Sequence, residues 1–324
     1  MALPALPQPD VLITGAGVIG LSLALELHSR GAQVVVLERD RAFSHASSAA
    51  AGMLADLDPH NPSALSGLAG LSISLYPAFL RRIEALSGIP VPFQTDTTIQ
   101  HLSSGKTMRL VEHSLDPRQL GLALCAAIRS TNIDLREHAS WTPERDLAAK
   151  RIVHATGAWP QRDAAIFPRK GQMLRVRIPA GTDLGEVHRR EDVYIVPRTQ
   201  GVQAGTALIG ATVEDAGYDT HTHAHDLAHL RSLAAELVPA LGSETASPQL
   251  EAWAGLRPAT ADSLPLLGAC ETKPRLGADE FVATGHFRNG ILLAPATAMV
   301  MADLLEGRQT SVDLTPFSPT RFNS

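Results

Sequence analysis

The segment 11–39, VLITGAGVIGLSLALELHSRGAQVVVLER, constrains the fold more than any other part of the chain. An apolar run leads into the pattern G-x-G-x-x-G, and apolar residues at helical spacing follow. Gly15 permits a tight turn, Gly17 leaves the backbone open to a pyrophosphate, and Gly20 lets helix and strand pack closely. A second apolar run ends in Glu38, whose carboxylate would bind a ribose 2′-hydroxyl and repel a 2′-phosphate. The segment therefore predicts a unit that binds an adenine dinucleotide.

Composition narrows the classes of protein that can contain such a unit. The chain has 324 residues, enough for two domains, and its net charge of −5 argues against nucleic acid as a partner. Two cysteines, Cys125 and Cys270, cannot form a disulfide framework. Neither a signal peptide nor a membrane span is predicted, so we expect a cytoplasmic protein without a membrane partner.

Hydrophobic periodicity predicts the remaining elements. We expect helices over 65–86, 118–128, 225–238 and 295–305, and strands over 97–101, 152–156, 172–178, 192–197, 206–212 and 280–283. Nucleotide-type signals at both ends enclose sheet-like material, which predicts an α/β fold with a discontinuous cofactor domain and an inserted antiparallel-sheet substrate domain. The expected ranges are 8–60, 115–170 and 250–310 for the cofactor domain, 61–114 and 171–249 for the substrate domain, and 1–7 and 311–324 for flexible termini.

A run of small residues, SSAAAGM, extends from Ser47 to Met53. Small side chains let the backbone approach a large planar ring, and its amides can bond ring heteroatoms. Taken alone, the run is more typical of a tight helix contact. The sequence ATG at 155–157 is a second strand end with a glycine turn, where backbone could cross over a nucleotide.

Two arginines lie in stretches rich in glycine and proline, Arg257 in WAGLRPAT and Arg288 in GHFRNG. These stretches predict turns rather than a helix face. An arginine held by its backbone suits bidentate binding of a carboxylate, and a surface ion pair is the alternative. Arg288 also precedes the helix expected from Pro295, whose N-terminus would direct positive partial charge at a cofactor ring.

The one metal-like cluster in the sequence consists of His221, His223, His225 and His229. Asp219 and Asp226 are the nearby acids, and no cysteine or carboxylate stands at a typical zinc spacing. A solvated helix start is favoured, and no bound metal is expected. No G-x-S-x-G elbow supports serine hydrolase chemistry.

Together these motifs resemble the D-amino-acid oxidase superfamily of flavoproteins, and most closely its glycine oxidase branch. The resemblance covers nearly the whole chain through VLITGAGVIGLSLALEL, HASSAAAGML, ATGAW, RKGQML, VYIVPR, WAGLRPATADSLPLLG and GHFRNGILLAP, in family order. It implies a Rossmann-type FAD-binding domain with non-covalent FAD. The expected cofactor-binding residues are Gly15, Gly17, Val18, Ile19, Gly20, Glu38, Arg39, Ala46, Ser47, Ala51, Gly52, Met53, Gly157, His286, Phe287, Arg288, Asn289, Gly290, Ile291 and Leu292.

The resemblance also implies a substrate site. Arg257 would anchor the substrate carboxylate and Arg288 would contact it a second time, with Tyr194 and Met53 in the same pocket. The implied reaction is oxidative deamination of glycine or a small amino acid or amine. FAD would take a hydride, water would hydrolyse the imine to an oxo acid and ammonia, and oxygen would become hydrogen peroxide. The resemblance further implies that the reaction product supplies thiamine thiazole synthesis and that the protein is a homo-oligomer.

Four alternatives stay open at this point. A D-amino-acid dehydrogenase that reduces a quinone, or a sarcosine-type oxidase, would use the same scaffold. A flavin-binding module without turnover is a different class, and an NAD-dependent dehydrogenase has no sequence mark of a nicotinamide site. Two departures from the family also matter: the segment 132–151 is short, which affects the adenine contact, and Val213 stands where a bulkier methionine is expected.

Overall fold

A computed structural model describes residues 8–142, 149–160, 165–270 and 278–322. The strands, in chain order, are β1 (Val11–Thr14), β2 (Val34–Leu37), β3 (Met53–Leu54), β4 (Phe93–Thr95), β5 (Thr98–His101), β6 (Thr107–Leu110), β7 (His113–Leu115), β8 (Asp134–Arg136), β9 (Arg151–His154), β10 (Phe167–Arg177), β11 (Val187–Arg189), β12 (Tyr194–Arg198), β13 (Thr206–Gly210), β14 (Gln249–Ala259), β15 (Leu266–Ala269) and β16 (Asp279–Thr284). The helices are α1 (Val18–Ser29), α2 (Ala46–Ala49), α3 (Ser66–Ser87), α4 (Pro117–Arg129), α5 (Ala224–Leu237) and α6 (Gly290–Leu305).

A six-stranded sheet has the order β15-β16-β9-β1-β2-β8, and all of its pairs except β15–β16 are parallel. Parallel strands are buried on both faces and read as continuous apolar runs. In β1, Val11 and Ile13 pack in the core formed with α1, α4 and α6, while Leu12 packs with Trp141 on the other face. This arrangement brings the carboxyl ends of β1 and β2 to one edge, beside the glycine turn.

A seven-stranded sheet has the order β14-β10-β13-β12-β11-β5-β6 and is antiparallel except between β5 and β11. Helix α5 covers one face, where Leu230 packs with Leu174 and Ile195. The other face carries Met173, which packs against Ala51 of the small-residue loop. Strands β10 and β14 run across the expected domain boundaries at 170/171 and 249/250, so the sheet takes residues from both sides of each boundary. A three-stranded sheet, β3-β7-β4, completes the fold.

Most predicted helices and strands are found with shifts of one or two residues at their ends, whereas β10 and α6 begin five residues earlier than expected. Helix α4 begins at Pro117, directly after Asp116 and one residue before its expected start. The Asp116 side chain accepts a hydrogen bond from the N–H of Arg118 at 2.9 Å, an ordinary N-cap. The flexible terminus expected over 311–324 packs instead, at least as far as residue 322. Phe317 is fully buried, and Arg321 Nε lies 2.7 Å from Asp262 Oδ2.

Helix α6 begins before residue 295, so the predicted start at Pro295 is wrong. Proline has no N–H and leaves the carbonyl one turn earlier, that of Ile291, without its helical donor. The Tyr76 hydroxyl of α3 donates to this carbonyl, and Ser72 Oγ donates to the carbonyl of Leu292 at 2.6 Å. Two hydroxyl groups of α3 therefore stabilise Pro295 inside α6, although local sequence rules place a proline at the start of a helix.

By length and composition, the stretch Ser63–Ser87 containing α3 could cross a membrane. Buried core helices pass the same test. One face of α3 packs on α4 and α6, with Leu68 and Tyr76 in the main core.

Replacing Tyr76 with Phe tests the support of α6 by α3. The change removes one hydroxyl and leaves the Ile291 carbonyl buried without a donor, which costs about 1–3 kcal/mol of unfolding free energy. Urea unfolding of the FAD-loaded protein measures the loss. Tyr218→Phe is the matched control, because its hydroxyl donates to Ala158 O from a side chain that is 53% exposed. Equal losses in the two variants would contradict the special role of Tyr76.

Candidate active site

The first of two connected grooves lies at the carboxyl ends of β1 and β2 and is called here the nucleotide groove. Its lining comprises Thr14, Gly15, Gly17, 37–39, 43–47, 139–141 and 155–160. Gly15 has a φ of +103°, and a Cβ there would lie 2.4 Å from the carbonyl oxygen of Ala155, so only glycine fits. Glu38 accepts N–H groups from Ala16 at 2.7 Å and from Asp40 at 3.0 Å, which fixes its carboxylate at the strand tip.

The first turn of α1 begins at this groove: Gly17 lines it, while Val18 and Ile19 line the second of the two grooves. The N–H of Val18 donates to Ser47 Oγ at 2.9 Å, and that of Leu21 donates to Gly17 O. Within the described ranges, no acceptor meets the N–H groups of Ile19 and Gly20. Free amides and the positive end of a helix suit a pyrophosphate.

The second groove, called the inner groove, lies between the loop 46–53 and the seven-stranded sheet. It is lined by parts of 46–58 and 189–194, by Arg257 and by 286–291. It shares Gly17, Ala46, Ser47, Ala155 and Gly157 with the nucleotide groove. The grooves are therefore continuous, as a cofactor with both a nucleotide and a ring would require.

The carbonyl groups of the loop 46–53 are turned away from the inner groove. Ala49 O accepts Trp253 Nε1 at 3.1 Å, Ala51 O accepts Arg198 Nη2 at 2.8 Å, and Gly52 O accepts an N–H from β7 at 2.9 Å. Among the described residues, the N–H groups of Ala51 and Gly52 have no acceptor, although both residues are buried. Orphaned buried amides are rare, and here they fit the heteroatoms of a flavin ring.

The start of α6 forms another wall of the inner groove. Leu293 N bonds to Asn289 O and Asn289 N to His286 O, so the helix begins in the groove. His286 is fully buried and its Nε2 lies 3.1 Å from Thr297 Oγ1. Burial lowers the pKa of His286 to about 3, so the ring is neutral at physiological pH.

Arg257 lies within a strand, two residues before the end of β14, so its predicted location in a turn is wrong. Its guanidinium occupies the space above Gly171 of β10, where a Cβ would lie 2.3 Å from Arg257 Nη1. Nη1 donates to Thr212 O at 3.1 Å. The glycine and the backbone carbonyl thus hold the guanidinium rigidly without a carboxylate partner in the described part of the chain.

Tyr194 meets Arg257 at the inner end of the groove. The two side chains interact electrostatically, and the Tyr194 hydroxyl donates to Met173 Sδ at 3.0 Å. Burial raises the pKa of Tyr194 and lowers the pKa of Arg257, and their mutual attraction opposes both shifts. A Cβ on Gly210 would lie 2.6 Å from the Tyr194 hydroxyl, so a second glycine makes room for the phenol.

Arg288 approaches the same groove from the loop before α6, and it is paired. Its Nη2 lies 2.6 Å from Oδ2 of Asp58, a buried carboxylate that sequence reasoning missed. Nothing in the pattern ADLDPHN around Asp58 distinguishes it from a loop acid. Trp159 was also missed as a site residue: it lines the nucleotide groove with Arg39 4.0 Å above its ring.

The predicted cofactor residues mostly line these grooves. Those in the nucleotide groove are Gly15, Gly17, Glu38, Arg39, Ala46, Ser47 and Gly157. Those in the inner groove are Gly17, Val18, Ile19, Ala46, Ser47, Ala51, Gly52, Met53, Gly157, His286, Phe287, Arg288, Asn289, Gly290 and Ile291. Gly20 and Leu292 line neither. Gly20 packs against Gly15, where a Cβ would lie 2.0 Å from the Gly15 carbonyl oxygen, and Leu292 is in the core.

Three further sequence features have defined positions. In the short segment 132–151, residues 139–141 line the nucleotide groove, while 143–148 lie outside the described residues. Val213 lines the inner groove and is 57% exposed. The four histidines of the metal-like cluster are exposed, and Gln172 Nε2 occupies the centre between His223, Glu214 and Asp226.

Comparison with known proteins supports this geometry. The model of the family described as FAD dependent oxidoreductase matches residues 10–128 and 110–304. This chain belongs to that family. FAD is accordingly its cofactor, and the resemblance to the glycine oxidase branch is confirmed.

Individual relatives point the same way. A glycine oxidase of Geobacillus kaustophilus is 32% identical over 96% of this chain and 97% of the relative. The crystal structure of glycine oxidase from that organism has a TM-score of 0.87 and 30% identity, covering 97% of this chain and 98% of that one. A bifunctional protein ThiO/ThiG of Trichormus variabilis is 33% identical over 97% of this chain, which spans only 55% of that relative.

The buried neutral His286 predicts a specific pH dependence of stability. The unfolded chain binds a proton near pH 6.5 and the folded chain does not, so stability falls as pH drops from about 6.5. His286→Gln should reduce the loss of unfolding free energy between pH 7.0 and 5.5 by about 1 kcal/mol. Urea unfolding of the FAD-loaded proteins provides the comparison. His229→Gln, at an exposed position of α5, should leave the loss unchanged; the same loss in His286→Gln as in the parent protein would refute the prediction.

Proposed function

We propose that this protein oxidises glycine or a small amino acid or amine at the expense of oxygen, releasing an oxo acid, ammonia and hydrogen peroxide. The observation that carries the proposal is Arg257. It is a half-buried, rigidly held guanidinium without a carboxylate partner among the described residues, beside the loop whose free amides suit a flavin. A protein that only stored a flavin would have no need for such a group.

The chain's own residues orient the substrate and leave the chemistry to the cofactor. When bound, FAD supplies the acceptor for the hydride of the substrate α-carbon. Arg257 binds the substrate carboxylate in a bidentate manner, and Tyr194 donates its hydroxyl to the same group. His286, being neutral, adds no charge to the groove, and the free amides of Ala51 and Gly52 would stabilise negative charge on a bound ring. The substrate amine reacts in its neutral form, having given its extra proton to solvent, so hydride loss from the α-carbon requires no side chain as a general base. Water then hydrolyses the released imine.

Two details of the proposal rest on other observations. FAD is held without a covalent cysteine link: Cys125 is buried in α4 and Cys270 follows β15, and neither lines a groove. The likeness to ThiO/ThiG proteins supports a role in thiamine thiazole synthesis. A cytoplasmic location, a homo-oligomeric state, and the absence of nucleic-acid and membrane partners stay predictions.

Turnover in air distinguishes this proposal from a dehydrogenase. With glycine, sarcosine or D-alanine, anaerobic mixing should bleach the flavin absorbance, and air should then yield peroxide and ammonia in equal amounts. The equal yield of peroxide and ammonia applies to glycine and D-alanine, because these two substrates are primary amines. Reduced protein that persists in oxygenated buffer and reacts only with a quinone would establish a dehydrogenase. Failure of every amine to bleach the flavin would favour a binding module.

Substitution of Arg257 tests the carboxylate anchor. A charged hydrogen bond contributes about 1.5–3 kcal/mol and about 1.4 kcal/mol is tenfold, so Arg257→Ala should lower kcat/KM for glycine by about ten- to a hundredfold or more. Arg257→Lys keeps the charge but cannot donate two parallel hydrogen bonds, so its kcat/KM should lie between those of the parent protein and Arg257→Ala. The FAD content of both variants should be unchanged. Gly171→Ala should mimic the loss, because its Cβ would occupy the guanidinium position. An amine lacking a carboxylate serves as the control substrate, and an equal fall for both substrates would show that Arg257 supports the fold instead.

A further inference from the structure

The charges in the inner groove are almost completely paired. Four arginines line it. Arg190 pairs with Asp192, Arg189 with Glu112 and Arg288 with Asp58, all with N–O distances of 2.6–2.9 Å. Arg257 has no carboxylate within 4.0 Å among the described residues. Arg257 is therefore the only arginine of the groove without an ion-pair partner among the described residues, and the remaining lining acid, Glu191, is exposed.

Asp58 is the carboxylate that neutralises the substrate-facing Arg288. Its side chain is 3% exposed, and Oδ2 lies 2.6 Å from Arg288 and 3.8 Å from Arg189 Nε. Oδ1 accepts the N–H of His60 at 2.9 Å, which fixes the carboxylate in place. Arg189 is the more distant partner of Asp58, because both of its Nη atoms are bonded to Glu112 and its Nε donates to Gln100.

The charge state of Asp58 follows from these neighbours. Burial alone would raise the pKa of its carboxyl group, but Arg189, the His60 N–H and Arg288 outweigh burial and hold the pKa below its ordinary value. Asp58 is therefore ionised at neutral pH, and a second ligand carboxylate near Arg288 would meet a negative charge already in place. Like charges in a buried site cost free energy on binding.

We propose that Asp58 determines specificity: by pairing with Arg288 it leaves Arg257 as the single anchor, and so restricts substrates to amines with one carboxylate. This inference rests on the proposed function for its substrate class. The charge selectivity of the groove, which the inference predicts, can be measured with ligands that do not react.

Calorimetric binding of acetate and malonate to the FAD-loaded protein measures this selectivity directly. The parent protein should bind malonate no more tightly than acetate. Asp58→Asn keeps the size of the side chain, removes its charge and frees Arg288, so the affinity for malonate relative to acetate should rise about tenfold. A tenfold preference for malonate over acetate in the parent protein would overturn the proposal. This measurement uses only the parent protein, so it does not depend on the folding of a variant.

A double-mutant cycle assigns the effect to the pair. In an Arg288→Met background, Asp58→Asn should no longer produce the tenfold gain, because the freed guanidinium is absent. Asp183→Asn removes the same charge from an exposed position and should leave the ratio unchanged. An unchanged ratio in Asp58→Asn, or an equal gain in the Arg288→Met background, would contradict the assignment.

Turnover provides the second readout. Sarcosine and iminodiacetate are matched substrates that differ by one carboxylate on the N-substituent. Asp58→Asn should raise kcat/KM for iminodiacetate relative to sarcosine by about tenfold. If neither these compounds nor glycine and D-alanine are oxidised by any variant while the malonate ratio still rises, the proposed function fails and the charge selectivity stands. If both compounds are oxidised and Asp58→Asn changes neither the malonate-to-acetate affinity ratio nor the iminodiacetate-to-sarcosine ratio of kcat/KM, the role of Asp58 is refuted and the proposed function stands.

Discussion

The hydrogen bonds from the seven-stranded sheet to the loop 46–53 are the interaction on which the site depends. Trp253 and Arg198 donate to the carbonyls of Ala49 and Ala51, and Gly255 packs so closely on Ala49 that a Cβ would lie 2.6 Å from the alanine methyl. Burial lowers the pKa of Arg198 to about 10, which still leaves it a cation and a strong donor at neutral pH. These contacts join the two sheets and turn the loop amides toward the cofactor.

Features governed by local chemistry could be predicted from the sequence. The order of strand, glycine turn, helix and acid over 11–39 identified the dinucleotide edge, because each step needs only neighbours in the chain. The start of α4 at Asp116 followed from the same kind of rule, since a cap and a proline act within one turn. The parallel and antiparallel sheets likewise followed from apolar runs and their separation along the chain.

Features that depend on distant partners could not be predicted. Pro295 lies inside a helix because Tyr76 and Ser72, more than two hundred residues away, supply the missing hydrogen bonds. Arg257 resembled a turn residue because glycine and proline surround it, yet these small residues accommodate a neighbouring strand and loop. Asp58 carried no local signal, since its role arises from an arginine at the far end of the chain.

The fit of Arg257 above Gly171 has a consequence for folding. In the pairing of β10 with β14, Gly171 faces Gly255 and Arg169 faces Arg257, so the glycine lies diagonally across from the arginine. A slip of one residue along the ladder would bring side chains from the opposite face to these positions. Lys170, whose amine is buried against Asp219 on that other face, would then compete for the guanidinium space. The position of the Arg257 guanidinium therefore depends on the register of β10 and β14. A chain in which these strands are misaligned would be inactive even if it remained compact.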